Sequence, residues 1–207
     1  MLKVGVTGDI GSGKTIVCRI FEHLGVNVYY SDKEAKKFYN QQDVKNKLYP
    51  IFGAEIFTQT QNIDTLKLAK IVFSNSDLLQ KLNKIIHPLV MEDFEQWCKN
   101  QKNCAYILFE SAIIYSCKLT HYFDEIVFIN APFPLIIERV MQRDKLDFEA
   151  VKKRLSMQFP ANKDFIKKDH IIYNDDERLV VPQVIDIHKD IISHHSVLQS
   201  GYIEEKK

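Results

Sequence analysis

The chain has 207 residues, 45% of them apolar and 27% charged, with a formal net charge of +1. That length suits one medium domain with small inserted lobes, and the near-zero charge argues against the cationic surface of a nucleic-acid binder. No apolar run approaches a membrane span, the first residues enter a strand pattern directly, and Cys18, Cys98, Cys104 and Cys117 form no C-x-x-C pair, so membrane, secretory, cysteine-zinc and thioredoxin-like readings lose their support and a soluble, reducing, cytoplasmic monomer or weak homo-oligomer is the expectation.

Leu2 to Thr7 is β-branched and apolar and reads as a buried parallel strand. Helical spacing follows from Thr15 to Leu24, with Ile16, Ile20, Phe21 and Leu24 on one side, and Gly25 stops it. Val26 to Tyr30 is a second strand, which completes a βαβ unit. From Asp32 to about Trp97 the pattern is helical only. One helix starts at Asp32, one precedes Pro50, one covers Thr65 to Phe73, one runs from Asp77 to Ile86, and one follows Pro88. Phe52, Phe57 and Phe73 read as core. Strand patterns return at Ala105 to Phe109 and at Glu125 to Asn130. Pro132 and Pro134 open a helix, and Asp147 to Gln158 forms another. His170 to Tyr173 is the last strand, and a final helix begins near Asp176. His188, His194 and His195 fall on that helix at spacing that suits a solvated face better than a metal site. Alternating strands and helices predict an α/β fold with a central parallel sheet, whose ligands gather at the carboxyl ends of the strands.

The informative motif is Gly8-Asp9-Ile10-Gly11-Ser12-Gly13-Lys14-Thr15, a full G-x-x-x-x-G-K-[ST] phosphate loop between a predicted strand and a predicted helix. Four of the seven glycines lie within the first thirteen residues, which concentrates backbone freedom where N–H groups must turn inward on phosphate oxygens. Lys14 is expected to neutralise the β and γ phosphates of ATP, and the Thr15 hydroxyl to ligate Mg²⁺. Asp9 is the odd residue, since a carboxylate beside polyphosphate must point away.

Other phosphate-loop classes leave tests that this sequence fails. No glycine has an aspartate three residues before it, and no Asn-Lys pair is followed by x-Asp, so GTPase signatures are missing. The L-S-G-G-Q signature of transporter ATPases is missing too. A small-metabolite kinase with a helical insertion fits best.

Further polar residues fall where such a kinase needs them. Asp32 follows the second strand and reads equally well as a general base or as a helix cap. His87-Pro88 reads as a substrate contact or, more simply, as a proline turn between two helices. Glu110 ends the third strand, where a carboxylate can organise a metal or cap the strand. Arg139, Arg143 and Arg154 account for three of the five arginines. They fit a phosphate clamp on a mobile lid, with Asp144, Asp147 and Glu149 offering the alternative of surface ion pairs.

The ordered set of the phosphate loop, Leu24-Gly25-Val26-Asn27-Val28, Ser31-Asp32, Phe52-Gly53, Leu82-Asn83, Ile86-His87-Pro88-Leu89, Leu108-Phe109-Glu110, Arg139-Val140-Met141-Gln142-Arg143-Asp144, and Arg154 with Gln158 resembles the dephospho-CoA kinase family from Val4 to about Asn174. The resemblance implies a P-loop nucleotide kinase-like α/β fold in three parts. These are a core at about 1–31, 104–138 and 166–207, a helical acceptor insertion at about 32–103, and a helical lid at about 139–165. It implies transfer of the ATP γ-phosphate to the ribose 3′-hydroxyl of dephospho-CoA, with Mg²⁺. Asp32 falls on the family's base position, His87 on an acceptor-domain position, Arg143 on the lid arginine, and Asn174 near the adenine. Asp9 stands where the family usually has glycine, Tyr30 where it usually has a second aspartate, and Asp175-Asp176 where an Asn-Gly type of loop is usual.

Overall fold

The structure, a computed structural model, describes residues 1–156 and 170–204, with side chains described as far as residue 197 in the last helix. Gln158, the end of the expected lid and the first residues of the expected third core segment lie outside the described residues. Among the described residues five strands form one sheet: β1 (Leu2–Gly8), β2 (Asn27–Tyr30), β3 (Tyr106–Glu110), β4 (Glu125–Asn130) and β5 (His170–Tyr173), in the order β2-β3-β1-β4-β5. β1 pairs in parallel with β3 on one side (Val6 opposite Glu110) and with β4 on the other (Gly8 opposite Ile129), and β4 pairs in parallel with β5. Chain connections pass to opposite sides of β1, so its carboxyl end lies at the point where the strand order reverses. Open α/β sheets bind their ligands at such points. The strands read as near-continuous apolar runs because they are buried: β3 has no exposed position, and β1 is buried at every residue except half-buried Lys3.

The chain separates into two compact units, residues 1–29 with 101–207, and residues 30–100. In the first, α1 (Lys14–His23) and α8 (Val180–Glu204) pack together. The buried face of α1 is Val17, Cys18 and Phe21, whereas Ile16 and Leu24 face water. The expected apolar side is therefore corrected by one helical step: the three-four spacing that starts at Lys14 is the one the sheet covers. Burial, followed by the charge of Glu110, raises the Cys18 thiol well above its usual range, so it packs as an inert apolar group. A further pair, α6 (Phe133–Asp144) and α7 (Phe148–Ser156), shares a core of Ile136, Ile137, Val140, Val151 and Leu155. The final helix begins at Val180 rather than Asp176, because the Asp175 carboxylate binds the Glu177 and Arg178 N–H groups and makes a turn there instead.

The second unit is mostly helical, built from α2 (Ser31–Phe38), α3 (Gln42–Phe52), α4 (Thr65–Val72) and α5 (Ser76–Lys99), with one antiparallel bridge between Phe57 and Ile63. α5 is its spine, packing against the other three. Asp64 caps α4 and Asn75 caps α5, each accepting two backbone N–H groups at the orphaned first turn. Two expectations fail here. His87-Pro88 is not a turn, since α5 runs unbroken through it, and α3 continues past Pro50 to Phe52. A proline inside a helix forfeits one hydrogen bond and crowds the carbonyl four residues earlier. Both prolines are exposed, and so are Lys84 and Asn46, which carry the affected carbonyls. Water can satisfy those carbonyls, while Leu82, Ile86, Val90, Met91, Phe94 and Cys98 keep one buried stripe across the break. Phe52 is buried, and Phe57 and Phe73 are half-buried.

Candidate active site

The loop between β1 and α1 turns through three glycines in left-handed or related backbone regions: Gly8 (φ +153°), Gly11 (φ +81°) and Gly13 (φ +97°). Each is also closed to a side chain. A Cβ on Gly8 would lie 2.5 Å from the Ile129 carbonyl oxygen, one on Gly11 would lie 2.6 Å from Val140 Cγ2, and one on Gly13 would lie 2.1 Å from Asn174 Nδ2. These positions need glycine for space as well as for conformation.

Lys14 is buried, and its ammonium donates to the carbonyls of Gly8 and Asp9, both at 3.0 Å. The same Asp9 carbonyl accepts the Ser12 N–H at 3.1 Å. Asp9 therefore serves the loop through its backbone, and it is not among the residues with positive φ. A side chain at this position costs no backbone strain, which accounts for a non-glycine residue here. Thr15, on the first turn of α1, is exposed. The Thr7 and Ser12 hydroxyl oxygens are buried without a hydrogen-bond partner among the described residues. Orphaned donors, inward-turned glycines and a helix N-terminus together fit the oxygens of a polyphosphate.

Two contacts in this unit were invisible in the sequence. Ile10, at the tip of the loop, packs on the core of α6 and α7. Asn174, just after β5, donates from its side-chain amide to the Ser12 carbonyl at 2.7 Å, and its own N–H is fixed on the Asn130 carbonyl. Arg139 then grips the same segment, donating to the Asn174 carbonyl at 3.2 Å and to the Asp176 carboxylate at 2.6 Å. Asp176 itself has φ +64°, a left-handed position that Asp tolerates and Gly fills freely, so this loop keeps its shape without the Asn-Gly pair. No spacing rule joins residues 12, 130, 139 and 174. Only the sheet order does.

Arg143 is exposed, and its guanidinium holds Asp144 through Nε at 2.7 Å and Nη2 at 3.1 Å. Arg154 reaches the same carboxylate at 2.9 Å. The hydrogen bond from Arg143 is the main cause that pulls the Asp144 carboxyl below its usual range. Asp147 instead caps α7 by accepting the Ala150 N–H. Glu110 is buried at the carboxyl end of β3.

In the helical unit, Asp32 is exposed on the first turn of α2, whose cap residue is Tyr30. The cap alternative for Asp32 is thereby set aside. Tyr39 is pushed up to about 12 by burial and then by the Asp32 charge. His87 is half-buried on α5, and desolvation pushes it down to about 4, so it is neutral near pH 7. Its Nε2 is buried with no hydrogen-bond partner among the described residues.

A sequence profile of dephospho-CoA kinases matches residues 2–179. The chain belongs to the dephospho-CoA kinase family. It is 35% identical over 187 residues to the dephospho-CoA kinase of Bacteroides fragilis strain YCH46, covering 90% of this chain and 91% of that one. The Porphyromonas gingivalis dephospho-CoA kinase is likewise 35% identical, over 189 residues, at 90% and 93% coverage. Among solved structures, the Campylobacter jejuni dephospho-CoA kinase superposes with a TM-score of 0.60 at 24% identity, covering 93% of this chain and 98% of that one. A Thermus thermophilus protein reaches 0.76 at 22% identity, with 93% and 97% covered. These two share the fold, a P-loop kinase sheet with flanking helices. Membership makes the chain a kinase, with ATP as phosphate donor and a small molecule as acceptor. Among the described residues no helix is long and apolar enough to cross a membrane.

Proposed function

We propose that the chain transfers the γ-phosphoryl group of ATP to the ribose 3′-hydroxyl of dephospho-CoA, giving coenzyme A and ADP. The observation that carries this reading is the family match over residues 2–179, joined to a phosphate loop whose three glycines and buried Lys14 fit a polyphosphate. ATP lies along Gly8 to Thr15 with its phosphates on the inward N–H groups, and Lys14 compensates charge as the γ-phosphoryl group leaves. The exposed Thr15 hydroxyl would hold Mg²⁺, which supplies further neutralisation of the β and γ oxygens. Asp32 accepts the proton of the attacking hydroxyl.

The helical unit, residues 30–100, takes the acceptor, and the orphaned Nε2 of His87 supports a substrate contact there. Glu110 orients the acceptor or its metal. α6 and α7 act as the lid, and Arg143 leaves Asp144 for the transferring phosphate, where its fork grips two oxygens. Arg139 and Asn174 act on ATP by fixing the loop backbone at Ser12. The protein works in the cytoplasm as a monomer or weak homo-oligomer. The test is ADP release from ATP and Mg²⁺ with and without dephospho-CoA. Strong stimulation by dephospho-CoA is expected, and no release above background overturns the proposal.

A further inference from the structure

All strand pairs around β1 and β4 are parallel, so the amino ends of β4 and β5 lie at the sheet edge opposite the phosphate loop. There three side chains converge from three elements: Glu125 from the start of β4, His170 from the start of β5, and His194 from α8. One carboxylate oxygen, Oε2, lies 2.6 Å from His170 Nε2, and the other, Oε1, lies 3.1 Å from His194 Nδ1. All the ligating atoms lie within 4.8 Å of one another. Glu125 and His170 are each only 19% exposed, whereas His194 is 59% exposed and opens the cluster to solvent. His194 lies beyond residues 2–179, the span matched by the family profile.

We propose that Glu125, His170 and His194 bind a divalent transition-metal ion, zinc by preference. Two imidazoles and one carboxylate are a donor set that zinc takes readily, with the fourth position left to water. Metal–ligand bonds near 2 Å place tetrahedral ligands about 3.4 Å apart. The 2.6 and 3.1 Å contacts run to different oxygens of Glu125, so admitting the ion takes a small opening at His170 and a turn of the exposed His194 toward the oxygen that ligates. Mg²⁺ prefers an all-oxygen octahedron and does not compete for these donors. The ion would tie β4, β5 and α8 together, far from the phosphate loop along the strands, so its effect is on stability rather than on turnover.

The test is titration of chelator-treated, full-length protein with Co²⁺ and Zn²⁺ in excess Mg²⁺ and without ATP. The expected result is one equivalent per chain, the visible absorption of four-coordinate Co²⁺ with N and O ligands, and a higher thermal midpoint that EDTA reverses. Glu125→Gln and the exposed His194→Ala should each weaken binding by about 10-fold or more and leave kcat unchanged. His170→Ala should do the same. Absence of saturable uptake overturns the site, as does uptake that survives in Glu125→Gln and His194→Ala. An intense thiolate-to-cobalt band would put the metal on a cysteine and also overturn it.

Discussion

Gly13→Ala is the sharpest probe of how the phosphate loop is held. At φ +97° and ψ +19°, alanine sits in the left-handed region at a cost of about 1–2 kcal/mol. Its Cβ would also fall 2.1 Å from Asn174 Nδ2, far inside van der Waals contact. The Asn174 backbone cannot retreat, because Asn130 and Arg139 hold it on both sides, so the side chain must rotate away. That breaks its bond to the Ser12 carbonyl, worth about 1 kcal/mol. The sum is a loss of about 2–3 kcal/mol. Urea denaturation of Gly13→Ala, Asn174→Ala and the double variant measures it as a cycle. Asn174→Ala alone should cost about 1 kcal/mol, and the double variant should be no less stable than Gly13→Ala, because the clash and the bond have both gone. Strict additivity of the two single losses would refute the account, as would a Gly13→Ala protein as stable as the parent.

Lys14→Ala should lower kcat by about 10²-fold or more through lost charge compensation, read from the coupled ADP assay, and should also lower the unfolding midpoint modestly, because its two hydrogen bonds to the Gly8 and Asp9 carbonyls go with it. Asp32→Asn should lower kcat by about 10²-fold or more while the KM for ATP stays within a few-fold, and an unchanged kcat removes Asp32 as the base. Arg143→Ala should lose activity that Arg143→Lys restores only in part, since lysine lacks the bidentate fork, and full recovery with lysine would argue for a point charge alone. His87 carries a pH prediction. Its folded value of about 4 lies below its ordinary 6.5, so the unfolded chain binds more protons in that window. The stability from keeping His87 neutral is present above about pH 6.5 and is lost as pH falls toward 4, by about 3 kcal/mol at most. A His87→Asn variant should lose less stability between pH 7 and pH 4.5 than the parent does, and an equal loss contradicts the assignment.

Patterns local in the chain were legible from composition and spacing. The bounds of β4 and β5 were read residue for residue, because β-branched runs between turn residues have few alternatives. Proline is the exception. At Pro88 and Pro50 a local rule predicted breaks, but a buried stripe on the opposite face outweighed one lost hydrogen bond at a wet carbonyl. Ile16 lies outside although its spacing suits the inside equally well, since 3.6-residue spacing offers two faces and only the sheet selects one.

The sequence by itself determined the phosphate loop, the α/β alternation, the helical stretch after Asp32 and the family. Each depends on residues adjacent in the chain or on an ordered set of short motifs. Tertiary structure alone decided that Asn174 braces Ser12, that Arg139 braces Asn174, that Asp9 serves through its carbonyl, and that Glu125 meets His170 and His194. Those pairs are 35 to 162 residues apart, apart from Asp9, whose part was hidden in the loop backbone. They meet because parallel strands in the order β2-β3-β1-β4-β5 bring distant segments to common sheet edges, a proximity that no sequence spacing encodes.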